Sequence, residues 1–250
     1  MFTRPVSIPH GKISLHADLY LPDKARGMVV FAHGTGSSRH SPRNRVVAAR
    51  LHKEDLGTLL LDLLTEQEEA AERPDGGRRF DIGFLAARLL YVTAWLDGSA
   101  ETAESHGIAL GYFGASTGAA AALVAAAEQG TRVGAVVSRG GRPDMAGDSL
   151  GAVLAPTMLI VGGNDKVVLG LNERAKAQLR CPSELVVIKG ATHLFEEHGA
   201  LEQVAELAAG WFRQYLHGQA AGGDFEPATT GDLDPMAGGD FGPATSGGHS

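Results

Sequence analysis

Residues 108–129 read IALGYFGASTGAAAALVAAAEQ and contain the most informative pattern in the chain. An apolar run leads into GASTG at positions 114–118, and an alanine-rich run follows directly. This order predicts a strand, a sharp turn and a helix, with Ser116 at the apex of the turn, which is the pattern of a nucleophile elbow. A tight elbow leaves no room for a Cβ atom at Gly114 or Gly118, and it strains the backbone of Ser116.

The alternative interpretation of GASTG is a serine in an ordinary glycine-rich turn. The chain has 34 glycines among 250 residues, so the pentapeptide by itself is weak evidence. Its position between a predicted strand and a predicted helix is the context that favours the elbow.

Composition excludes several classes of protein. Hydrophobic residues make up 44% of the chain and charged residues 20%, as in globular proteins. The formal net charge is −7, but residues 218–250 contain several acidic residues and no Lys or Arg, so the remaining body is nearly neutral. We therefore expect neither nucleic acid nor a membrane as a partner.

Compartment can also be predicted from the sequence. Cys181 is the single cysteine, which excludes an internal disulfide. The first residues lack the apolar segment of a signal peptide, and no apolar run approaches membrane-spanning length. These features predict a cytoplasmic protein.

Short apolar runs alternate with segments of helical periodicity, which predicts an α/β fold with a doubly wound, mainly parallel sheet. Strands are predicted at 4–9, 13–22, 27–34, 58–64, 107–113, 133–138, 157–161 and 184–188, the first two as an antiparallel hairpin. Helices are predicted at 46–55, 80–97, 116–129, 169–179 and 201–216, with at best a weak helix at 145–154. Residues 65–79 are predicted to be a loop with room for one helical turn. In such sheets the functional site lies beyond the carboxyl ends of the strands.

Residues 1–217 form the predicted domain, and residues 218–250 form a low-complexity tail. The tail contains a repeat, because AGGDFEPATTG at 221–231 recurs as AGGDFGPATSG at 237–247. Its low apolar content predicts disorder. The alternative is a docking tail in which Phe225 and Phe241 anchor a protein partner, whose identity the sequence leaves unknown.

Two further polar residues follow predicted strands and complete a candidate catalytic set with Ser116. Asp165 lies after the strand at 157–161, and His193 lies after the strand at 184–188. The order Ser, Asp, His is the one expected on this type of sheet. In that set His193 is the general base, and Asp165 orients its imidazole and stabilises the imidazolium. Taken singly, Asp165 could be a turn former and His193 a core histidine.

The tetrahedral oxyanion of an ester reaction needs preorganised donors. The expected donors are the backbone N–H groups of Thr117 and Thr35, with Gly36 close behind and also a candidate for substrate binding. His33, which precedes this loop, is predicted to be structural.

Arg139 follows the strand at 133–138 and is a candidate to bind a substrate carboxylate, since guanidinium matches a carboxylate bidentately. The alternative is a structural ion pair with Asp144 or Asp148. Neither a metal-ligand pattern, a dinucleotide fingerprint nor a P-loop occurs in the sequence, so we expect no metal and no cofactor.

Four motifs carry a resemblance to a known family: HGTGSSRHSPRNR (33–45), GASTG (114–118), GGNDKVV (162–168) and GATHLFEE (190–197). Over about residues 4–217 the chain resembles the α/β-hydrolase superfamily, and within it the small, lidless dienelactone-hydrolase-like branch. This resemblance implies an eight-stranded sheet without a cap domain and cofactor-free hydrolysis of an ester-type bond. The residues between the strands at 133–138 and 157–161 are also too few for a lid domain.

One departure from the family affects the predicted substrate. Dienelactone hydrolases proper use a cysteine nucleophile, whereas this elbow holds Ser116. A serine hydrolase that cleaves small carboxylic esters through an acyl-enzyme intermediate is therefore favoured. The alternatives are an acyltransferase, a dienelactone or lactone hydrolase using the same site, and a non-catalytic binding module.

Overall fold

The computed structural model describes residues 3–72 and 77–216, which form an eight-stranded sheet flanked by helices. The strands are β1 (Arg4–His10), β2 (Ile13–Tyr20), β3 (Gly27–Ala32), β4 (Leu56–Leu61), β5 (Leu110–Ala115), β6 (Val133–Arg139), β7 (Thr157–Gly162) and β8 (Ser183–Ile188). Their order is β1-β2-β4-β3-β5-β6-β7-β8. β1 pairs antiparallel with β2, and β2 antiparallel with β4, while all other pairs are parallel. The predicted fold class and the initial hairpin are confirmed.

The helices are α1 (Pro42–His52), α2 (Glu66–Ala70), α3 (Ile82–Gly98), α4 (Thr117–Gln129), α5 (Lys166–Lys176) and α6 (Ala200–Leu216). The segment at 65–79 contains α2, which begins with a capping box between Thr65 and Glu68 and agrees with the helical turn allowed there. One prediction needs correction. The predicted weak helix at 145–154 is a 3₁₀ stretch, Pro143–Ala152, interrupted at Gly147 by a positive φ of 54°.

The central strands β3 to β7 are buried along their whole length because helices cover both faces of the sheet. On one face α3 and α4 pack on the sheet, and on the other α1 and α6 do so. The alanines of α4 are almost all buried, and their small side chains let this helix lie close to the strands beneath it. The apolar runs seen in the sequence are therefore two-sided core strands.

Helices α1, α4 and α5 all begin near the carboxyl ends of the parallel strands. The Ser41 side chain caps α1 by accepting a hydrogen bond from Asn44 N–H, and Asp165 caps α5 by accepting one from Val168 N–H. This arrangement gathers several helix N-termini at the edge where the functional site was expected.

No cap domain lies between β6 and β7, because this connection is the 3₁₀ stretch.

None of the helices within residues 3–72 and 77–216 has the length and apolar character that a membrane crossing requires. The proposed tail at 218–250 lies outside the described residues, so its boundary and its repeat remain predictions.

Candidate active site

Ser116 occupies the turn between β5 and α4 with a φ of 51° and a ψ of −122°. Positive φ is strained for a residue with a side chain, so the predicted strained elbow is confirmed. A Cβ atom at Gly114 would clash with the Ala119 backbone, and one at Gly118 would clash with the carbonyl oxygen of Ala32. Both glycines are required because backbone passes where their side chains would be.

Backbone hydrogen bonds with the end of β6 and the residues after it also hold the elbow in place. The backbone N–H of Ser116 donates to the carbonyl oxygen of Arg139 at 3.3 Å, and Arg142 N–H donates to the carbonyl oxygen of Ser116 at 3.1 Å. The Ser116 side chain does not cap α4. Its hydroxyl is therefore not engaged in holding the helix.

The structure brings Asp165 and His193 together. Asp165 Oδ2 and His193 Nδ1 are 2.7 Å apart, joining the loops that follow β7 and β8. A carboxylate can only accept here, so Nδ1 carries the proton and the neutral ring keeps Nε2 as its basic nitrogen. The side chain of Asp165 is 16% exposed and that of His193 is 40% exposed. The acid is thus shielded while the imidazole faces the solvent.

The end of β6 lies between the serine and the histidine. A Cβ built on Gly140 would be 3.6 Å from His193 Cε1 and 3.0 Å from the His193 carbonyl oxygen. The preceding residue is Arg139, whose carbonyl oxygen accepts the hydrogen bond from the Ser116 N–H. The three predicted catalytic residues therefore lie around one strand end.

His33 holds the loop that follows β3. Its Nε2 accepts a hydrogen bond from Leu63 N–H at 3.0 Å, so the proton is on Nδ1, which donates to the Gly34 carbonyl oxygen at 2.9 Å. Burial lowers the pKa of His33, despite the opposing effect of the Gly34 bond, and keeps the ring neutral. This arrangement agrees with the predicted structural role.

The N–H groups predicted to bind the oxyanion differ in whether they already have a hydrogen-bond partner. Thr117 is the first residue of α4, so its N–H has no carbonyl partner four residues earlier in the helix. The Thr35 N–H, by contrast, donates to Thr117 Oγ1 at 3.1 Å. The choice of Thr35 as a donor therefore needs correction, because the Thr117 hydroxyl already occupies that N–H. Gly36, with a φ of 70°, supplies the next N–H of the loop.

Arg139 is buried, with only 7% of its surface exposed. Its Nη2 lies 3.5 Å from Asn44 Oδ1, its Nε has no partner, and no carboxylate within the described residues forms an ion pair with it. Burial, followed by the charge of Arg43, lowers the pKa of Arg139 to about 10. The alternative of a pair with Asp144 is wrong, since Arg142 binds that carboxylate at 2.8 and 2.9 Å.

An open cleft of about 530 Å³ extends from the loop after β3 to the start of α1. It is lined by Gly36, Ser37, Ser38, His40, Ser41, Pro42, Arg43, Glu69 and Arg79. Gly36 lines this cleft, and its role in substrate binding stays a prediction. Within the described residues, no three His, Cys, Asp or Glu side chains are grouped as metal ligands.

Sequence reasoning missed two side chains that shape this cleft. Asp62 follows β4 and binds both the backbone N–H and the guanidinium of Arg39, which fixes the polar loop before α1. Arg43 forms an ion pair with Glu196 at 3.5 Å and so links α1 to the loop that carries His193. The strand predicted at 58–64 contained Asp62, so the strand-end rule did not identify it, whereas in the structure β4 ends at Leu61 and Asp62 follows directly.

Comparisons with known proteins agree with this geometry. The crystal structure of a dienelactone hydrolase from Anabaena variabilis is 52% identical, with a TM-score of 0.82, and the match covers 86% of this chain and 98% of that one. Est1E from Butyrivibrio proteoclasticus matches with a TM-score of 0.69 at 17% identity, over 84% of this chain and 98% of that one. At that identity the match shows the fold alone. No family model matches the chain.

Curated relatives add a second line of comparison. Two Mycobacterium tuberculosis proteins, from strains CDC 1551 and H37Rv, are each 56% identical over 218 residues. Both carry the provisional name phosphoribosyl transferase. The match covers 87% of this chain but 48% of each relative, so the chain spans about half the length of these proteins.

Proposed function

Because the chain belongs to the dienelactone-hydrolase-like α/β hydrolases, we propose that it is a serine hydrolase that cleaves small carboxylic esters. Ser116 is the nucleophile, His193 the general base and Asp165 the residue that orients His193. The observation that carries the proposal is the 2.7 Å contact of Asp165 with His193 beside a serine on a strained elbow.

The reaction proceeds in two stages. His193 Nε2 takes the proton of the Ser116 hydroxyl as its oxygen attacks the ester carbonyl, and the alcohol leaves with that proton. Water then attacks the acyl-enzyme with the same base, which releases the acid and restores Ser116. The N–H groups of Thr117 and Gly36 stabilise the oxyanion in both stages, each such donor being worth roughly 3–4 kcal/mol where tested.

A second candidate is the phosphoribosyl transfer in the provisional name of the mycobacterial relatives. The chain spans about half of those proteins, whereas it spans 98% of a dienelactone hydrolase. We therefore assign ester hydrolysis to this chain. Acyl transfer to an acceptor other than water uses the same acyl-enzyme and differs only in the second stage.

The experiment is turnover of p-nitrophenyl acetate and labelling by a fluorophosphonate probe, each measured on the wild type, on Ser116→Ala and on Ser14→Ala. Ser14 is an exposed serine of β2 and serves as the matched control. We expect Ser116→Ala to abolish labelling and to lower kcat by about a million-fold, the order found when a catalytic serine is removed. Ser14→Ala should behave as the wild type.

Three outcomes would contradict the proposal. Labelling that persists in Ser116→Ala would move the nucleophile elsewhere. Failure of the wild type to hydrolyse any short ester would favour a binding module. Product formation that depends on an added alcohol or amine would favour the acyltransferase.

A further inference from the structure

The guanidinium of Arg139 is in an unusual position for a charge. It is 93% buried, and among the described residues its Nε has no partner and its one hydrogen bond, to Asn44 Oδ1, is 3.5 Å long. A buried charge is costly unless it is paired, and within residues 3–72 and 77–216 no carboxylate pairs with this one. Such a group is expected to have an anionic partner that is not among these residues.

A second guanidinium lies next to it. Arg43 directly precedes Asn44, whose Oδ1 contacts the Arg139 guanidinium, and the charge of Arg43 disfavours the charged form of Arg139. The carboxylate that pairs with Arg43 is Glu196, which is 67% exposed and 3.5 Å away, so solvent weakens that pair. Arg43 thus has one carboxylate partner that is weakened by solvent, and Arg139 has none among the described residues.

Arg43 also belongs to the first turn of α1, an 11-residue helix. The N-terminus of a helix favours negative charge through its unpaired N–H groups and its dipole. The hydroxyl-bearing residues Ser37, Ser38 and Ser41 line the cleft beside Arg43. Pro42 has no N–H, and the N–H groups of Asn44 and Arg45 donate to Ser41, which leaves the Arg43 N–H as the donor of this turn. Positive charge, one backbone donor and hydroxyl groups therefore lie together beside Arg43, while the Glu69 carboxylate of the same cleft pairs with Arg79.

The two arginines are tied to the loops that carry the proposed catalytic residues. The backbone of Arg139 is bonded directly to Ser116, and Asn44 joins the Arg139 side chain to α1. Arg43 pairs with Glu196, which lies three residues after His193. We therefore expect a substrate whose carbonyl lies at Ser116 to have its far end near the arginines.

We propose that Arg139, Arg43 and the first turn of α1 form a subsite for a phosphate group, so that the preferred substrates are carboxylic esters that also carry a phosphate monoester. This inference rests on the proposed function, because it names the substrate class of the same site. The phosphate is bound and not cleaved, and hydrolysis occurs at the carboxylic ester.

A phosphate is favoured over a carboxylate by charge and by geometry. One guanidinium satisfies a carboxylate bidentately, whereas a phosphate dianion has enough oxygens and charge for two. Because solvent screens Glu196, the guanidinium groups of Arg139 and Arg43 carry nearly two positive charges that the ligand must neutralise. A dianion neutralises both, and a single carboxylate leaves one unpaired.

The binding arm of the test uses inorganic phosphate and needs no turnover. Titration calorimetry on Ser116→Ala should detect phosphate binding that is at least about tenfold tighter than acetate binding. Adding Arg139→Gln or Arg43→Gln should weaken phosphate binding by about tenfold or more. Arg45→Gln is the matched control, since Arg45 is on the same helix but pairs with Asp18 and is half exposed.

The kinetic arm compares 2-acetoxyethyl phosphate with 2-acetoxyethyl methyl ether, its neutral analogue. The wild type should prefer the phosphate ester by about tenfold or more in kcat/KM, and the preference should fall to near unity in Arg139→Gln and in Arg43→Gln. Arg43 is partly exposed, so its variant tests the subsite even if Arg139→Gln does not fold. Arg45→Gln should keep the wild-type preference.

Several results would overturn the subsite: no phosphate binding to Ser116→Ala, equally tight binding of acetate, or an equal loss in Arg45→Gln and Arg43→Gln. An unchanged preference in a folded Arg139→Gln would do the same. Failure of the proposed function looks different. Phosphate would still bind to Ser116→Ala with the expected dependence on both arginines, but neither ester would turn over.

Discussion

At the scale of single residues, Asp165 performs two tasks with two oxygens. Its Oδ2 contacts His193 Nδ1 at 2.7 Å, and its Oδ1 accepts the N–H of Val168 at 3.3 Å to cap α5. The cap needs a side-chain oxygen, whereas orienting the imidazole in the correct tautomer needs an acceptor at Nδ1. Substitutions at this position can therefore separate folding from catalysis.

We predict that Asp165→Asn lowers kcat by about 10⁴ while leaving the melting temperature nearly unchanged, because asparagine is as good an N-cap as aspartate. Asp165→Ala should lose the same activity and also about 1 kcal/mol of stability. Ester turnover and thermal unfolding measured on both variants check this separation.

His193→Ala should match the activity loss of Asp165→Asn or exceed it, with the fold intact, because it removes the base itself. Circular dichroism and p-nitrophenyl acetate turnover provide the measurement. Full activity of Asp165→Asn would show that another acid, such as Glu196 or Asp144, orients the imidazole.

At the scale of elements, α2 and α3 support the loop that follows β3. Arg88 of α3 donates to both carboxylate oxygens of Glu68, at 2.6 and 2.7 Å, and to the carbonyl oxygen of Leu63 at 2.6 Å. The N–H of Leu63 in turn donates to His33, which binds Gly34. A continuous chain of hydrogen bonds thus connects two helices to the loop at the candidate oxyanion site.

The Glu68 carboxylate makes the stabilisation provided by these hydrogen bonds depend on pH. Burial raises the pKa of Glu68, but the bonds from Arg88 and Thr65 outweigh it and hold the pKa at about 2, against an ordinary value of 4.5. Because the folded-state pKa is the lower one, the carboxylate stabilises the fold above about pH 4.5. That stabilisation is lost as the pH falls toward 2.

We predict that Glu68→Gln lowers the free energy of unfolding at pH 7 by on the order of 1–3 kcal/mol, and that this deficit shrinks between pH 5 and pH 3. Glutamine retains the capping box with Thr65, so the change isolates the charge. Urea unfolding at pH 7, 5 and 3 measures the deficit. Glu66→Gln, an exposed acid of the same helix, is the control, and a deficit independent of pH would argue against the ion pair.

At the scale of the whole molecule, α6 closes one face of the sheet. Its buried residues pack against β5, β6 and α1, and they are Ala200, Val204, Ala205, Ala208, Ala209, Trp211, Phe212 and Leu216. The Trp211 indole N–H also donates to the Pro156 carbonyl oxygen at 3.2 Å. The body therefore needs the chain at least as far as Leu216.

We predict that truncation after Gly218 leaves the melting temperature and the esterase rate unchanged, because the segment beyond it has few apolar residues to bury. Truncation after Gly210 removes Trp211, Phe212 and Leu216 and should prevent stable folding, since losing one buried aromatic side chain already costs about 3–5 kcal/mol. Differential scanning calorimetry of both proteins tests this, and a drop of several degrees after Gly218 would mean that the tail packs on the body.

A structural feature of this protein could be predicted from the sequence when it depends on residues close together in the chain. Strands and helices follow from apolar periodicity and glycine positions among neighbouring residues, and these elements were predicted with small errors at their ends. The weak helix predicted at 145–154 was wrong, because this piece forms the 3₁₀ stretch Pro143–Ala152. A positive φ of 54° at Gly147 interrupts it, which apolar periodicity does not predict.

The sequence by itself determined the α/β class, the elbow at Ser116 and the strand-end positions of Asp165 and His193. It did so because the carboxyl ends of parallel strands meet at one edge, whatever the details of packing. The tertiary structure alone decided which partner each long or mobile polar group takes. Arg142 rather than Arg139 binds Asp144, and Thr117 occupies the N–H of Thr35. Such pairings depend on loop paths and rotamers that bring distant residues within about 3 Å, and local patterns do not encode them.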